Sequence, residues 1–273
     1  TNKSLISNIN KILENKKFYG KKNSNKNYNI EFVSANPTGP MHVGHCRGAI
    51  YGDVLANLLK FNGNNVTKEY YINDYGNQIK NFAKSVFLRI REIKYKEKFV
   101  LRENLYPGEY IIEIGKKIID TNRNEKFENF DKSFQLLKKE SLKCSMDLIK
   151  SDLKKLGIEH DNFFSETELV QNKLVDKAVN YLKKNNYVEE GYLERPKGES
   201  DKTWKKTKKL IFKSTLFNDD MDRALQKNDG SWTYFANDVG YHMDKVNRNY
   251  EYLINVLGAD HTGYIKRISA AVD

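Results

Sequence analysis

The pattern of apolar and polar residues predicts a strand, a helix and a second strand near the start of the chain. Residues 28–34 (YNIEFVS) are rich in β-branched and aromatic side chains, which is typical of a strand. Apolar residues then recur at helical spacing from Ile50 to Phe61, and Asn62-Gly63 ends the predicted helix. Residues 66–72 (VTKEYYI) form the second predicted strand. This order is typical of a βαβ unit, so we expect a parallel sheet.

The rest of the chain alternates between a helical and a β-rich pattern. We therefore predict an α/β fold, a doubly wound parallel sheet of the Rossmann-like kind, with a largely helical insertion. The predicted divisions are an N-terminal helix and linker over 1–27, the first half of a nucleotide-binding domain over 28–94, the helical insertion over 95–186, and a β-rich segment with the second half of the domain over 187–273.

Charge and composition narrow the function classes. Lys and Arg number 47 against 36 Asp and Glu, a formal net charge of +11. This predicts attraction to polyanions, nucleic acid first and an anionic membrane surface second, unless the lysines simply form a solvated surface. No apolar run is long enough to span a bilayer, and the N-terminus lacks the pattern of a secretory signal. Cys46 and Cys144 form no disulfide framework, so we expect a cytoplasmic protein without membrane contact.

The segment SANPTGPMHVGHC, residues 34–46, concentrates prolines, glycines and histidines between the first strand and its helix. In open parallel sheets, ligands bind beyond the carboxyl ends of the strands. His42 and His45 are three residues apart, so they share one face at the start of the helix, where unpaired N–H groups favour anions. Gly44 has no side chain, so a flat ring such as adenine could rest on its backbone. The segment predicts a polyphosphate site, and we expect no metal there.

Several longer stretches resemble one family. Six segments are similar, in order, to segments of the arginyl-tRNA synthetase family, a class I aminoacyl-tRNA synthetase family. They are EFVSANPTGPMHVGHCRGAIYGD, YYINDYGNQI, YPGEY, the Ser165-Glu166 segment, WTYFANDVGYHMDK and INVLGADHTGYIKR. The resemblance implies that ATP, with its Mg²⁺, and L-arginine form arginyl-adenylate and pyrophosphate. The arginyl group then passes to tRNA(Arg). His42 and His45 would be the catalytic residues, stabilising charge on the phosphates.

The resemblance also implies two groups of binding residues. ATP would contact His42, Gly44, His45, Gly258 and Asp260. Arginine would contact Glu31, Asn36, Tyr234, Asp238 and His261. A guanidinium stays protonated and presents a planar fork of donors, so its site needs carboxylates. The sequence leaves open whether Glu31 or Asp238 takes the guanidinium end, and whether His242 borders the pocket or is simply packed.

The sequence departs from the family pattern because it contains no Lys-Met-Ser-Lys-type loop and no anticodon-binding domain. We therefore expect a monomeric, incomplete catalytic domain that activates arginine weakly or not at all. Two other readings stay open. One is another adenylyltransferase with an HxGH loop, including a synthetase for a different amino acid. The other is a degenerate synthetase-like RNA-binding module, which would bind RNA without ATP.

Overall fold

The computed structural model describes residues 2–193, 207–258 and 262–273. The strands are β1 (Asn27–Glu31), β2 (Asn65–Ile72), β3 (Asn162–Ser165), β4 (Val188–Gly191), β5 (Lys209–Phe212), β6 (Arg223–Ala224) and β7 (Tyr252–Asn255). The α-helices are α1 (Asn2–Asn15), α2 (Val43–Phe61), α3 (Asn77–Tyr95), α4 (Glu109–Thr121), α5 (Phe130–Lys155), α6 (Glu166–Gln171), α7 (Leu174–Lys184), α8 (Tyr234–Asn247) and α9 (Thr262–Val272). None of the helices in these ranges combines the length and apolarity that crossing a bilayer requires.

The predicted βαβ unit is confirmed. β1 and β2 pair in parallel, with Ile30 opposite Lys68, and α2 connects them. α2 lies close to the sheet because the residues on its inner face are small. A Cβ on Gly52 would lie 2.3 Å from Cγ of Phe32, which follows β1. Gly52 therefore sets the distance between helix and strand.

Helices cover both faces of the main sheet, as a doubly wound fold requires. Along β2, Tyr70 packs in a cluster that also contains residues of α2 and α5. The adjacent Tyr71 points to the other face, where its ring lies 4.6 Å from that of Tyr241 on α8. The alternation of β2 side chains thus joins two cores across one strand, and the α/β prediction is confirmed.

The strand order β3-β2-β1-β7 creates a point where the chain changes direction. From β1 the chain proceeds outward to β2 and β3, and it later returns to pair β7 with the opposite side of β1. The segments that leave β1 and β7 therefore diverge at the carboxyl edge of the sheet. Such switch points form the crevices in which parallel α/β sheets bind ligands.

One element differs from the sequence expectation. The interval 95–186 was expected to be helical, yet Asn162–Ser165 form β3 and pair with β2. The strand is too short to show a period of its own, and a long-range contact fixes it. The Asp161 carboxylate accepts a hydrogen bond from the backbone N–H of Lys68 at 2.8 Å. In the interval 187–273, three strands form a small antiparallel sheet of order β4-β5-β6.

Candidate active site

The chain leaves β1 through a strained turn. Val33 and Ser34 have φ values of 71° and 42°, which β-branched residues in particular rarely adopt. The Ser34 hydroxyl donates to Glu31 Oε1 at 3.1 Å and accepts from the backbone N–H of Tyr71 at 3.0 Å. These bonds hold the strained turn in place. The turn directs the following residues into the crevice beyond the sheet.

Two tyrosines fix the loop that follows this turn. The Tyr70 hydroxyl donates to the carbonyl of Ala35 at 2.7 Å, and the Tyr110 hydroxyl donates to the carbonyl of Thr38 at 2.8 Å. Tyr110 also explains Gly39, because a Cβ there would lie 2.9 Å from the tyrosine oxygen. The loop is thus held from β2 and from α4.

His42 and His45 form a stacked pair at the start of α2, with ring centroids 3.8 Å apart. His42 is the N-cap residue, and its Nδ1 accepts from the backbone N–H of Gly44 at 3.1 Å. His45 Nδ1 accepts from the backbone N–H of His42 at 3.3 Å. Since both Nδ1 atoms accept, each neutral ring carries its proton on Nε2. Two N–H donors remain for an anion at a helix N-terminus.

The environment of His45 favours its neutral ring. Partial burial, together with the neighbouring His42, lowers the pKa of His45 below its ordinary value. Gly44 is exposed between the two rings. A Cβ on Gly44 would lie 2.9 Å from Cε1 of His42, so any larger residue would press against that ring. The arrangement suits a polyphosphate whose oxygens accept from imidazole donors.

Glu31 lies at the end of β1 and forms an ion pair with Lys245 of α8. The Lys245 ammonium, which is fully buried, lies 2.5 Å from Glu31 Oε2 and donates to Asn255 Oδ1 at 3.0 Å. Burial alone would raise the pKa of Glu31, but Lys245 outweighs this effect and the pKa is lowered. Glu31 is therefore ionised and already has a cationic partner.

His242 joins the same network. Its Nδ1–H donates to the carbonyl of Asp238 at 2.9 Å, and its Nε2 accepts from the Asn255 amide at 2.8 Å. Burial, then the charge of Lys245, lowers the pKa of His242, so the ring is neutral. His242 is buried and its two nitrogens are occupied, so its part here is to link α8 with β7.

Asp238 is linked to Glu31 by the network just described. His242 donates to the Asp238 carbonyl and accepts from Asn255, and Asn255 accepts from the lysine that pairs with Glu31. Burial raises the pKa of Asp238 to about 7, although a hydrogen bond from the Tyr264 hydroxyl of α9 to Oδ2 opposes the rise. The two carboxylates predicted for the arginine site are therefore brought together. They differ in that Glu31 has a lysine partner, whereas Asp238 has a phenol.

Glu166 is a third carboxylate of this site, to which the sequence analysis assigned no role. It is the first residue of α6, directly after β3, and it is 3% exposed. Its Oε1 accepts from the Asn237 amide at 2.8 Å, while its Oε2 is buried without a partner. Burial, then the neighbouring Asp74, raises its pKa. Its position after a parallel strand could have identified it, had β3 been recognised.

The remaining predicted residues lie at the border of the crevice or outside the described ranges. Asn36 is exposed in the loop after β1, and Gly258 is exposed after β7. Tyr234 begins α8, one turn before Asp238, and is 72% exposed. Asp260 and His261 lie outside the described residues. Within those residues, no three potential ligands among His, Cys, Asp and Glu gather as a metal site would require.

Comparison with known proteins agrees with this geometry. The sequence model of a family described as tRNA synthetases class I (R), catalytic domain, matches residues 8–272. An arginine–tRNA ligase of Pelagibacter ubique is 57% identical over 271 residues, which cover 97% of this chain and 46% of that protein. The arginine–tRNA ligase of Ehrlichia chaffeensis is 52% identical, with coverages of 89% and 42%.

A solved structure from Campylobacter jejuni, named for arginyl-tRNA synthetase, matches with a TM-score of 0.82 and 33% identity. The match covers 96% of this chain and 54% of that one. The chain thus spans about half the length of the curated relatives it matches. The family match extends over nearly the whole chain. The chain belongs to the arginyl-tRNA synthetase family, and its residues 8–272 match the class I catalytic domain of that family.

Proposed function

We propose that the protein uses ATP to activate L-arginine as arginyl-adenylate and transfers the arginyl group to tRNA(Arg). The arginine carboxylate attacks the α-phosphorus of ATP, which is supplied with Mg²⁺, the bond to the β-phosphate oxygen breaks, and pyrophosphate leaves. A hydroxyl of the terminal adenosine of the tRNA then attacks the carbonyl carbon of the adenylate, and AMP leaves. The protein works in the cytoplasm as a monomer on this proposal. The chain described above supplies the pocket in which the two small substrates meet.

The observation that carries the proposal is an excess of buried carboxylate beside the switch point. Lys245 pairs with Glu31. Within the described residues, Asp238 and Glu166 form no ion pair, and one oxygen of Glu166 has no hydrogen-bond partner. Buried carboxylates without a cation are costly, so this site favours a ligand that brings a positive charge. A guanidinium stays charged in such a site.

The geometry also suggests which carboxylate binds which end of arginine. Glu31 is already paired with Lys245 and directly precedes the loop that leads to His42. We assign it, with Asn36, to the ammonium end, which must lie near the α-phosphate. Asp238 and Glu166 take the guanidinium, and the exposed ring of Tyr234 covers it. Gly258, Asp260 and His261 complete the site on the β7 side.

The histidine pair serves the other substrate. The Nε2–H groups of His42 and His45 donate to phosphate oxygens, and the N-terminus of α2 adds its partial positive charge. Adenine rests against the backbone at Gly44. These groups are fixed before ATP arrives, so they need little reorganisation as negative charge develops on the phosphates.

Ligand binding tests the proposal. We expect L-arginine to bind the purified protein in isothermal titration calorimetry and to raise its unfolding temperature. At an arginine concentration of 100 times the Kd, the unfolding free energy should increase by about 2.7 kcal/mol. Asp238→Asn and Glu166→Gln should each weaken arginine binding at least about 30-fold, because each leaves part of the guanidinium unpaired. Both variants should keep ATP binding. Glu113→Gln, which removes only an exposed pair with Lys116, is the matched control and should change neither.

Three results would contradict the proposal. Stabilisation by another amino acid and not by arginine would indicate a different synthetase. Binding of RNA without ATP or arginine would indicate an RNA-binding module. Unchanged arginine affinity in Asp238→Asn would place the arginine site elsewhere. Pyrophosphate exchange in the presence of tRNA(Arg) then tests whether the bound substrates react.

A further inference from the structure

The two carboxylates assigned to the guanidinium share one feature. Within the described residues, each has one oxygen that accepts from a neighbouring donor and one oxygen for which no donor is found. In Asp238, Oδ2 accepts from the Tyr264 hydroxyl of α9. In Glu166, Oε1 accepts from the Asn237 amide of α8 at 2.8 Å, and Oε2 is buried without a partner. We propose that Tyr264 is a positioning residue for arginine recognition, which holds one oxygen of Asp238 so that the other faces the guanidinium.

This inference rests on the proposed function, and it adds a role for a residue that does not touch the substrate. The carboxylate group of a flexible side chain can rotate, and a hydrogen bond to one of its oxygens restricts that rotation. Asn237 does this for Glu166, and Tyr264 does it for Asp238. Asn237 is buried on α8 and holds Glu166 of α6, whereas Asp238, the next residue of α8, is held by Tyr264 of α9.

The arrangement suits a guanidinium better than an ammonium. A guanidinium is a planar fork whose N–H donors point in fixed directions, so two separate oxygens at fixed positions can each accept one donor. An ammonium is a compact charge that one freely rotating carboxylate can satisfy. A hydroxyl also leaves the charge of Asp238 in place, whereas a lysine at position 264 would neutralise it.

The surroundings of Tyr264 hold its ring in this orientation. The guanidinium of Arg267, one turn further along α9, lies 5.5 Å from the centroid of the tyrosine ring. The ring is partly buried. Burial and the charge of Asp238 raise the pKa of the Tyr264 hydroxyl, so it remains a donor at every pH at which the protein is handled. Tyr264 therefore donates to Asp238 whether or not the carboxyl group is ionised.

The pH dependence of arginine binding reports on this hydrogen bond. Asp238 must be ionised to bind a guanidinium, and its pKa is about 7 in the free protein. The bond from Tyr264 lowers that pKa, so removing the hydroxyl raises it. Arginine affinity then increases with pH over a higher range than in the wild type. The titratable or charged groups around Asp238 are Glu31 on β1, Tyr71 on β2, Glu166 on α6, His242 and Lys245 on α8, and Tyr264 and Arg267 on α9.

The test is the Kd of L-arginine for the wild type and for Tyr264→Phe, measured by calorimetry from pH 5.5 to 8.5. We expect the variant to bind about tenfold more weakly at pH 6.5, with the midpoint of its pH profile about one unit higher. The difference should narrow to about threefold at pH 8.5. ATP affinity and unfolding temperature should stay near the wild-type values. Tyr95→Phe is the matched control, because its hydroxyl donates to the carbonyl of Lys126, away from the parallel sheet.

The outcomes separate this inference from the proposed function. If the wild type binds arginine and Tyr264→Phe shows the same Kd and pH profile, the positioning role is wrong and the proposed function stands. Tighter binding by the variant at pH 6.5 would show that Tyr264 competes with the guanidinium, which also overturns the role. If Tyr264→Phe lost arginine affinity equally at every pH and also had a lower unfolding temperature, Tyr264 would only stabilise the fold, and the positioning role would be wrong. A wild type that binds no arginine at any pH overturns the proposed function, and this inference with it.

Discussion

Glu69 shows how single residues connect the strands beneath the crevice. Its carboxylate is fully buried on β2, and its four hydrogen-bond partners come from β1, from β3, from α8 and from the residue that follows α8. These partners are Asn29, Asn162, Tyr241 and Arg248. Burial alone would raise the pKa of Glu69, yet the bonds from Arg248 and its other partners lower it to about 2. The ionised form is therefore part of the folded structure.

Replacing Glu69 should destabilise the protein strongly. Glu69→Gln leaves the guanidinium of Arg248 without its bidentate partner, and breaking a buried pair costs about 3 kcal/mol of unfolding free energy. Urea unfolding measures this. Glu97→Gln is the matched control, because it removes an arginine pair on an exposed surface and should have a much smaller effect. If the two substitutions lowered the unfolding free energy equally, the stabilising role proposed for Glu69 would be wrong.

The same residue predicts a pH dependence of stability. The pKa of Glu69 is about 2 in the folded protein and 4.5 ordinarily, so its stabilisation is complete above about pH 4.5. It is lost as the pH falls towards 2, because the unfolded chain binds the proton first. We expect the wild-type unfolding free energy to fall by about 3 kcal/mol more than that of Glu69→Gln across this interval. If the unfolding free energies of the wild type and Glu69→Gln fell equally between pH 4.5 and 2, the low pKa assigned to Glu69 would be wrong.

The sequence predicted part of the site at this scale. Glu31 and Asp238 could be named because a guanidinium requires carboxylates and because both lie in segments that resemble the family. Lys245 was given no role, and Glu166 was named only as part of a segment that resembles the family, without a role of its own. A buried lysine beside a carboxylate looks like any charged helix residue until its helix is placed on the sheet. Glu166 depends on β3, whose four residues gain their strand conformation from pairing with β2.

The start of α2 is an element whose structural and chemical parts can be separated. His42 caps the helix through Nδ1 and, on our proposal, binds phosphate through Nε2. His42→Ala should lose both, with a cost of about 1 kcal/mol in unfolding free energy. His42→Asn should restore the cap and keep stability within a few tenths of a kcal/mol, since Asn is a favoured N-cap. Both variants should lose ATP affinity in calorimetry. If His42→Asn bound ATP with the wild-type affinity, His42 would cap the helix but would not bind phosphate.

Two glycines of α2 test how the helix packs on the sheet. A Cβ at Gly52 would overlap Phe32, whereas one at Gly48 meets nothing within 4 Å. Gly52→Ala should therefore destabilise by about 1–3 kcal/mol through overpacking. Gly48→Ala, in the same helix, should stabilise by about 0.5–1 kcal/mol through helix propensity. Urea unfolding of both variants checks this, and a stabilising Gly52→Ala would show that α2 lies further from β1 than described.

Elements with a clear period were predictable, and elements made by long-range contacts were not. α2, β1 and β2 appear in the sequence as apolar repeats with a glycine stop, and the structure has them in these places. The segment SWTYF lies in the interval expected to be β-rich and has the aromatic and β-branched residues that favour a strand, yet Tyr234 begins α8. The reason is the Thr233 side chain, which accepts from the backbone N–H of Ala236 at 3.2 Å and caps the helix. Threonine favours strands and N-caps alike, so the tertiary context decides.

At the scale of the whole molecule, the carboxylates in the crevice and the positive charges on the surface have different roles. The crevice contains buried carboxylates, although the net charge of the chain is +11. On our proposal, the buried groups select a small cationic ligand at close range. The surface charge would act at longer range and attract a polyanion with little regard to sequence. Salt affects the two differently, because exposed charges are screened and buried pairs are screened much less.

Salt should therefore separate tRNA binding from arginine binding. We expect the affinity for tRNA(Arg) to fall at least about tenfold between 50 and 200 mM KCl, since even a few phosphate contacts release counterions. A tRNA of another specificity should show a similar slope, because phosphate contacts carry no sequence information. The Kd of arginine should change less than about threefold over the same range. Fluorescence anisotropy with labelled tRNA and calorimetry with arginine measure the two. A tRNA affinity that does not respond to salt would show that the lysines are a solvated surface and that contacts other than phosphate hold the RNA.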